Sequence, residues 1–154
     1  MTELELSNIS NIENTELSFR SQPSNIEAEQ ALLGAILVNN EIASIVSNIV
    51  DASHFFEPIH AKIFETINIL IDKGQLANPT TLKSFFENDQ ALSDIGGNNY
   101  LTRLADGAIT IINAADYAHV IRDTSIKRSL INIGEEMVNS AFDSKPEENS
   151  INQI

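Results

Sequence analysis

Two histidines and a glutamate lie within one short segment, where their side chains could bind a metal ion. His54, Glu57 and His60 all fall in the stretch HFFEPIH. Imidazole and carboxylate groups are common Zn²⁺ ligands. Pro58 stands between them, however, and interrupts the single helix on which paired histidines would share one face. We therefore expect surface or cap histidines here, and we keep a small metal-dependent hydrolase only as a rival hypothesis.

Other signatures of catalysis are missing from the sequence. The chain has six glycines, and none of them belongs to a GxxxxGK[ST] or GxGxxG pattern, whose backbone N–H groups cradle phosphates. There is no cysteine to act as a nucleophile, and no serine, histidine and aspartate stand out as a catalytic set. We expect a non-catalytic chain with no cofactor and no bound metal.

The charge of the chain argues against direct binding of nucleic acid. With 22 acidic and 9 basic residues, the net charge is −13. Nucleic-acid binding requires clustered cations that displace phosphate counterions. Only Arg122, Lys127 and Arg128 approach a cluster, and acidic residues flank them. We therefore keep a free-standing helical DNA-binding regulator only as the alternative hypothesis.

The location expected for this chain is the cytoplasm. The lack of cysteine suits a reducing compartment. The N-terminus does not have the basic and then apolar pattern of a signal peptide. No apolar stretch reaches the roughly 18–20 residues that span a bilayer, so we expect no membrane contact.

Proline, glycine and capping residues divide the sequence into helices, and the predicted fold class is all-α. Residues 1–22 lack a sustained period, and we expect a flexible N-terminal arm. Residues 23–112 are predicted to form a compact globular head of about five to six short helices. Ser24 stands three residues before Glu27, the spacing of a capping box, and Gly34 indicates a close approach between helices. The predicted helices of the head are residues 25–38, 41–50, 58–73, a short helix from 78, and 99–106.

The longest predicted helix, Ala114 to Phe142, carries more apolar surface than one neighbouring helix usually covers. We define two stripes on it. The first stripe is Ile126, Leu130, Ile133, Met137 and Ala141, and the second stripe is Ile131, Gly134, Val138 and Phe142. Either a larger intramolecular core or a second subunit could cover this surface, and we favour the subunit. The expected interface residues are Ile126, Leu130, Ile133, Met137, Val138 and Phe142.

The end of the sequence predicts a second long helix. The segment SKPEENSINQI has a proline and an acidic turn, followed by Ile151 and Ile154 at helical spacing. Residues 113–154 are therefore expected to form a helical hairpin whose second helix is truncated.

Four blocks, in order along the chain, resemble the N-terminal domain of the DnaB family of bacterial replicative DNA helicases. They are IEAEQALLGAIL, FFEPIHAKIFETINIL, LSDIGGNNYLTRLAD and AADYAHVIRDTSIKRSLI. The resemblance covers nearly everything except the arm. Asn78-Pro79-Thr80-Thr81 departs from the Asp-x-x-Thr pattern that is usual in the family. The loop before the long helix, GAITIINAAD, lacks the proline and small residues often seen there.

The resemblance implies a helical head and a hairpin that pairs between subunits, so that three dimers form a collar on a hexameric ring. It also implies that the collar recruits primase, with a helicase loader as a candidate further partner. A separate RecA-like C-terminal domain, absent from this chain, would bind ATP and Mg²⁺ and contact DNA. Glu27 and Tyr100 match positions that influence primase binding in the family. From the sequence alone, Tyr100 is either a core residue with a solvated hydroxyl, which is favoured, or an exposed contact.

Overall fold

The computed structural model describes residues 20–108 and 113–143 of the chain. Within these residues the protein consists of seven α-helices and a 3-10 turn, with no β-strand. The prediction of an all-α fold is therefore confirmed. The elements are α1 (Ile26–Val38), α2 (Glu41–Val46), the 3-10 turn (Ala52–His54), α3 (Pro58–Asp72), α4 (Pro79–Lys83), α5 (Gln90–Asp94), α6 (Asn98–Gly107) and α7 (Ala114–Asp143).

Most helices begin where the sequence indicates a cap. The side chain of Asn78 accepts a hydrogen bond from the Thr81 N–H at 2.9 Å, which caps α4. The predicted Ser24 capping box is wrong by one residue. Asn25 is the N-cap of α1, and its Oδ1 accepts from the Ala28 N–H at 2.9 Å. Asparagine is as good an N-cap as serine, so the two neighbours compete for the same position.

Two short elements differ from the prediction. Helix α2 ends at Val46 rather than near Val50, because the chain continues as a turn over residues 47–49. Helix α5 was not predicted at all. It has five residues, too few for a helical period, and begins where Asp89 accepts a hydrogen bond from the Leu92 N–H at 3.0 Å.

Helix α1 is the central element of the head and packs against α3, α6 and α7. Its residues Leu32, Leu33 and Ile36 are completely buried. A Cβ atom added at Gly34 would lie 2.1 Å from the Leu104 carbonyl oxygen, so only glycine permits this approach of α1 to α6. The predicted role of Gly34 in close helix approach is confirmed.

Helix α7 packs on the head with its first part and then extends away from it. Ala118 and Ile121 are buried in the core. Arg128 donates hydrogen bonds to the Pro23 carbonyl at 2.8 Å and to the His54 carbonyl at 2.7 Å. All residues from 129 to 143 are exposed. Arg128 therefore anchors α7 to the head just before the exposed part of the helix begins.

Three predicted segments lie wholly or largely outside the described residues. They are the arm up to residue 19, the loop at residues 109–112, and the start of a second hairpin helix after residue 143. The hairpin and the truncated second helix thus stay predictions.

No helix in the described part of the chain has the length and apolarity needed to cross a bilayer.

Candidate interaction sites

The first candidate site is the apolar surface on the part of α7 that leaves the head. The predicted interface residues are between 47% and 84% exposed, with Phe142 the most exposed. The apolar arc expected from the sequence is therefore not covered by the rest of the described chain. The residues on it are Ile126, Leu130, Ile133, Met137, Val138 and Phe142. Their contact with another subunit stays a prediction.

This surface has a clear energetic consequence. Removing apolar area from water is favourable by about 25 cal/mol per Å². Contiguous exposed apolar patches of this kind are uncommon on monomeric proteins and mark interaction surfaces. The long rod of α7 is consequently suited to pack against a helix of another element or copy.

The second candidate site is a cleft between α1 and α6 that brings Glu27 and Tyr100 together. These residues are far apart in the sequence, yet both line the same cavity of about 420 Å³. The guanidinium carbon of Arg103 lies 5.6 Å from the centre of the Tyr100 ring, a cation–π distance. The cleft has an exposed acid at one side and an exposed base at the other. Its lining residues are Glu27, Gln30, Ala31, Tyr100, Arg103, Leu104 and Gly107.

Tyr100 forms the floor of this cleft rather than an exposed contact. The residue is 9% exposed, so the favoured core position is correct. Its hydroxyl lies 2.6 Å from Nε2 of His60 and accepts a hydrogen bond from Nε2 of Gln30 at 3.1 Å. Burial raises the pKa of the Tyr100 hydroxyl, and the negative charges of Glu57 and Glu29 raise it further. The hydroxyl therefore keeps its proton at neutral pH and can donate it to His60.

Glycines at the start of α6 set the position of Tyr100. Gly96 and Gly97 have φ values of +114° and +58°, which L-residues with side chains rarely adopt. Gly97 is the N-cap of α6, and the helix begins one residue later at Asn98. The turn before this helix thus depends on glycine, and it aims α6 at α1.

A buried histidine–glutamate pair supports the floor of the cleft. Nδ1 of His60 lies 2.7 Å from Oε2 of Glu29, and both residues are 1% exposed. The Glu29 carboxylate also accepts hydrogen bonds from the backbone N–H groups of Phe56 at 2.5 Å and Glu57 at 3.3 Å. Glu57 is the N-cap of α3 and makes no side-chain cap bond of its own. Glu29 therefore supplies the carboxylate that the positive end of the α3 dipole favours.

The expectation that His60 is a surface or cap residue is wrong. His60 is a core residue that joins α3 to α1 through Glu29 and to α6 through Tyr100. Its ring is nearly parallel to that of Tyr100, with centroids 6.0 Å apart and planes 8° from parallel. His54 does act as a cap, because its Nδ1 accepts from the Asp51 N–H at 3.0 Å. We refer to Glu29, His60 and Tyr100 as the buried polar chain.

Helical spacing carries the signal that would have identified the buried polar chain. His60 lies three, four and seven residues before Ile63, Phe64 and Ile67, which form the buried face of α3. Glu29 stands in the same relation to buried Leu32, Leu33 and Ile36 of α1. Two polar residues on two apolar helix faces indicate that they pair with each other.

A metal centre does not form around the two histidines of the HFFEPIH segment. His60 uses both ring nitrogens in the buried polar chain, and His54 uses Nδ1 in its cap. Across residues 20–108 and 113–143, no three histidine, aspartate or glutamate side chains come close enough to hold a metal ion.

Residues 21–123 match the family model of the DnaB-like helicase N terminal domain. This chain belongs to that family. The match spans the whole head and the first ten residues of α7, which starts at Ala114. It includes both sides of the cleft and all three members of the buried polar chain.

Curated relatives agree with this assignment. The chain is 46% identical over 147 residues to the replicative DNA helicase DnaB of Rickettsia bellii (strain RML369-C), covering 96% of this chain and 30% of that protein. It is 50% identical over 125 residues to that of Rickettsia prowazekii (strain Madrid E), covering 81% and 26%. It is 36% identical over 115 residues to the replicative DNA helicase DnaC of Bacillus subtilis (strain 168), covering 75% and 25%. The chain thus spans less than a third of the length of these relatives.

A solved structure has the same fold. The N-terminal domain of DnaB helicase from Mycobacterium tuberculosis aligns with a TM-score of 0.77, covering 86% of this chain and 92% of that one. The sequence identity is 24%, so this likeness bears on the fold alone.

Proposed function

We propose that this chain is the oligomerisation and primase-docking domain of a replicative DNA helicase. Copies associate through the exposed apolar face of α7, and the cleft between α1 and α6 binds primase. Unwinding of DNA and hydrolysis of ATP belong to other parts of the longer protein. A cytoplasmic location is part of the same proposal.

One observation carries the oligomerisation part of the proposal. Beyond Arg128, α7 extends from the head with five of the six predicted interface residues exposed, and the sixth, Ile126, is exposed just before it. A helix of 30 residues is about 45 Å long. Its free part presents apolar side chains at the i, i+3/i+4 spacing by which helices pack on one another. A second copy offers a surface of the same kind, and pairing of two such surfaces gives a closed, symmetric contact.

Sedimentation equilibrium over a wide range of protein concentration tests this part. We expect dimers or larger species that dissociate on dilution. A monomer at high micromolar concentration, in a sample that remains folded by circular dichroism, would refute the association. A version of the chain extended past Ile154 should associate more tightly if a second hairpin helix adds to the contact.

The docking part of the proposal is supported by the placement of Glu27 and Tyr100. The family resemblance implies that both positions influence primase binding, and both line the cleft. Glu27 is exposed and can contact a partner directly. Tyr100 is buried, so it acts by shaping the floor of the cleft.

A binding titration with the cognate primase tests the docking part. We expect Glu27→Lys to weaken binding by about tenfold or more, as for a charge reversal within an interface. Glu41→Lys is the matched control, because Glu41 is also an exposed acid in the first turn of a helix. Equal affinities for the two variants would show that the cleft does not contact primase.

The alternative, a free-standing DNA-binding regulator, gains no support from the described residues. Arg128 directs its guanidinium to two backbone carbonyls of the head and to the ring of Phe56. It is therefore unavailable to phosphates. Steeply salt-dependent binding of duplex DNA by this chain would revive the alternative.

A further inference from the structure

The hydrogen bonds of the buried polar chain run in one direction, and Gln30 lies at the end that meets the cleft. Nε2 of Gln30 donates to the Tyr100 hydroxyl at 3.1 Å, so the hydroxyl oxygen is the acceptor of this bond. A protonated hydroxyl also has one hydrogen bond to donate. Its other neighbour is Nε2 of His60 at 2.6 Å, which is therefore the acceptor of the Tyr100 proton.

The same direction fixes the position of the proton on His60. A neutral imidazole has one N–H donor and one bare nitrogen, and the bond made by one nitrogen decides the role of the other. Because Nε2 accepts from Tyr100, the proton lies on Nδ1 and is donated to the Glu29 carboxylate at 2.7 Å. Donors thus run from Gln30 through Tyr100 and His60, and Glu29 is the final acceptor.

This direction leaves the carbonyl oxygen of Gln30 free. The amide nitrogen faces Tyr100, and Oε1 at the other end of the amide has no hydrogen-bond partner among the described residues. No side-chain oxygen in that part of the chain is both buried and without a partner, so Oε1 reaches solvent. Since Gln30 lines the cleft, we place this free acceptor there.

A second free acceptor, the Glu27 carboxylate, lies on the same face of α1. Residues three apart in a helix are neighbours on its surface. The side chain of Glu27 makes no hydrogen bond or ion pair with the described residues. Arg103, the base on the other side of the cleft, is engaged by the Ile95 carbonyl at 3.1 Å and by the Tyr100 ring. The α1 side of the cleft therefore offers a negative charge and a carbonyl oxygen without a matching donor.

We propose that the cleft receives a lysine or arginine side chain of its partner, and that Gln30 selects this side chain together with Glu27. The N–H groups of the base bind both Oε1 of Gln30 and the Glu27 carboxylate. His60 is a positioning residue, because it accepts the Tyr100 proton and so leaves the hydroxyl as an acceptor that turns Oε1 of Gln30 outwards. This inference rests on the proposed docking of primase and names the chemical group that the cleft recognises.

A titration with the cognate primase and two methionine variants tests the selection. Gln30→Met keeps the length of the side chain but lacks the oxygen, and we expect affinity to fall by about tenfold, as for one lost hydrogen bond to a charged group. Gln75→Met is the matched control and should bind like the parent chain, because Gln75 is exposed on the head and does not line the cleft. Gln30→Glu keeps an oxygen and adds a negative charge, so it should bind at least as tightly as the parent.

Nitrogen NMR of His60 tests the direction of the chain in the absence of primase. In the parent chain we expect a proton on Nδ1 and none on Nε2. The carboxylate of Gln30→Glu cannot donate to the Tyr100 hydroxyl and instead accepts from it, so Nε2 of His60 must then donate. His60 should therefore carry a proton on both nitrogens in this variant, whereas Gln75→Glu should leave it unchanged. A parent chain with a proton on Nε2 would overturn the proposal.

The binding results separate this proposal from the docking on which it rests. If Gln30→Met binds like the parent while Glu27→Lys binds weakly, Gln30 has no role in selection and the docking stands. If both variants bind primase like Glu41→Lys, the cleft is not the docking site and both proposals fail. Equal losses for Gln30→Met and Gln30→Glu would show that the oxygen is not what the partner recognises, which also overturns the proposal.

Discussion

Nδ1 of His60 lies 2.7 Å from a carboxylate oxygen of Glu29, and both side chains are buried in the core of the head. The pair joins the start of α3 to the first turn of α1, and Tyr100 extends it to α6. Helices α1, α3 and α6 are thus connected by polar contacts between buried side chains. No buried side-chain nitrogen or oxygen in the described residues lacks a hydrogen-bond partner.

Removal of the buried carboxylate should strongly destabilise the fold. Glu29→Ala leaves two backbone N–H groups and His60 without their acceptor, and we expect a loss of about 3–5 kcal/mol in the free energy of unfolding. Glu27→Ala, on the same helix but exposed, should cost less than about 1 kcal/mol. Urea denaturation of both variants measures the difference. Similar losses for the two would mean that the buried polar chain contributes little to stability.

The ionisation of Tyr100 should be delayed at alkaline pH. Since burial raises the pKa of its hydroxyl above the ordinary value of about 10, the unfolded chain loses this proton first. The stabilisation is complete below about pH 10 and decreases as the pH rises through the pKa of the folded state. The chain has two tyrosines, so Tyr117→Phe leaves Tyr100 as the only one. Its ultraviolet tyrosinate titration should have a raised midpoint, and an ordinary midpoint would contradict the buried hydroxyl.

The close contact between α1 and α6 should make Gly34 intolerant of any side chain. Gly34→Ala brings a methyl group against the Leu104 carbonyl, and we expect a loss of at least about 2 kcal/mol despite the better helix propensity of alanine. Gly107→Ala has open space around its Cβ and should gain about 0.5 kcal/mol. Thermal unfolding of the pair distinguishes crowding from propensity. A stabilising Gly34→Ala would show that the helices can separate at little cost.

The attachment of α7 should depend on the shape of the Arg128 side chain as well as its charge. Arg128→Lys keeps the charge but cannot reach both the Pro23 and His54 carbonyls at once, so we expect a loss of about 1–3 kcal/mol. Arg122→Lys, on the exposed side of the same helix, should stay within about 0.5 kcal/mol. Urea denaturation again provides the measurement. Equal stability of the two variants would contradict the role of Arg128 as an anchor.

Local patterns in the sequence were sufficient to predict most of the fold. Pro58 and Asn78-Pro79 locate the starts of α3 and α4, and the long apolar period locates α7 to within one residue of its observed end. Such features act within a few residues of the chain, so they can be recognised without knowledge of tertiary contacts. Glu29 and His60 behave differently, because each acquires its role from a partner 31 positions away. The cleft was missed for the same reason.

The most direct test of the proposed association compares two leucines with equal exposure. Leu130 lies on the first stripe of α7 and Leu76 on the surface of the head, and each is 63% exposed. In sedimentation equilibrium, we expect Leu130→Lys to raise the dissociation constant for self-association by about tenfold or more, since a charge in an apolar helix contact costs over about 1.4 kcal/mol. Leu76→Lys should associate like the parent chain. Parent and Leu130→Lys samples that associate equally well would contradict the proposal that α7 carries the subunit interface.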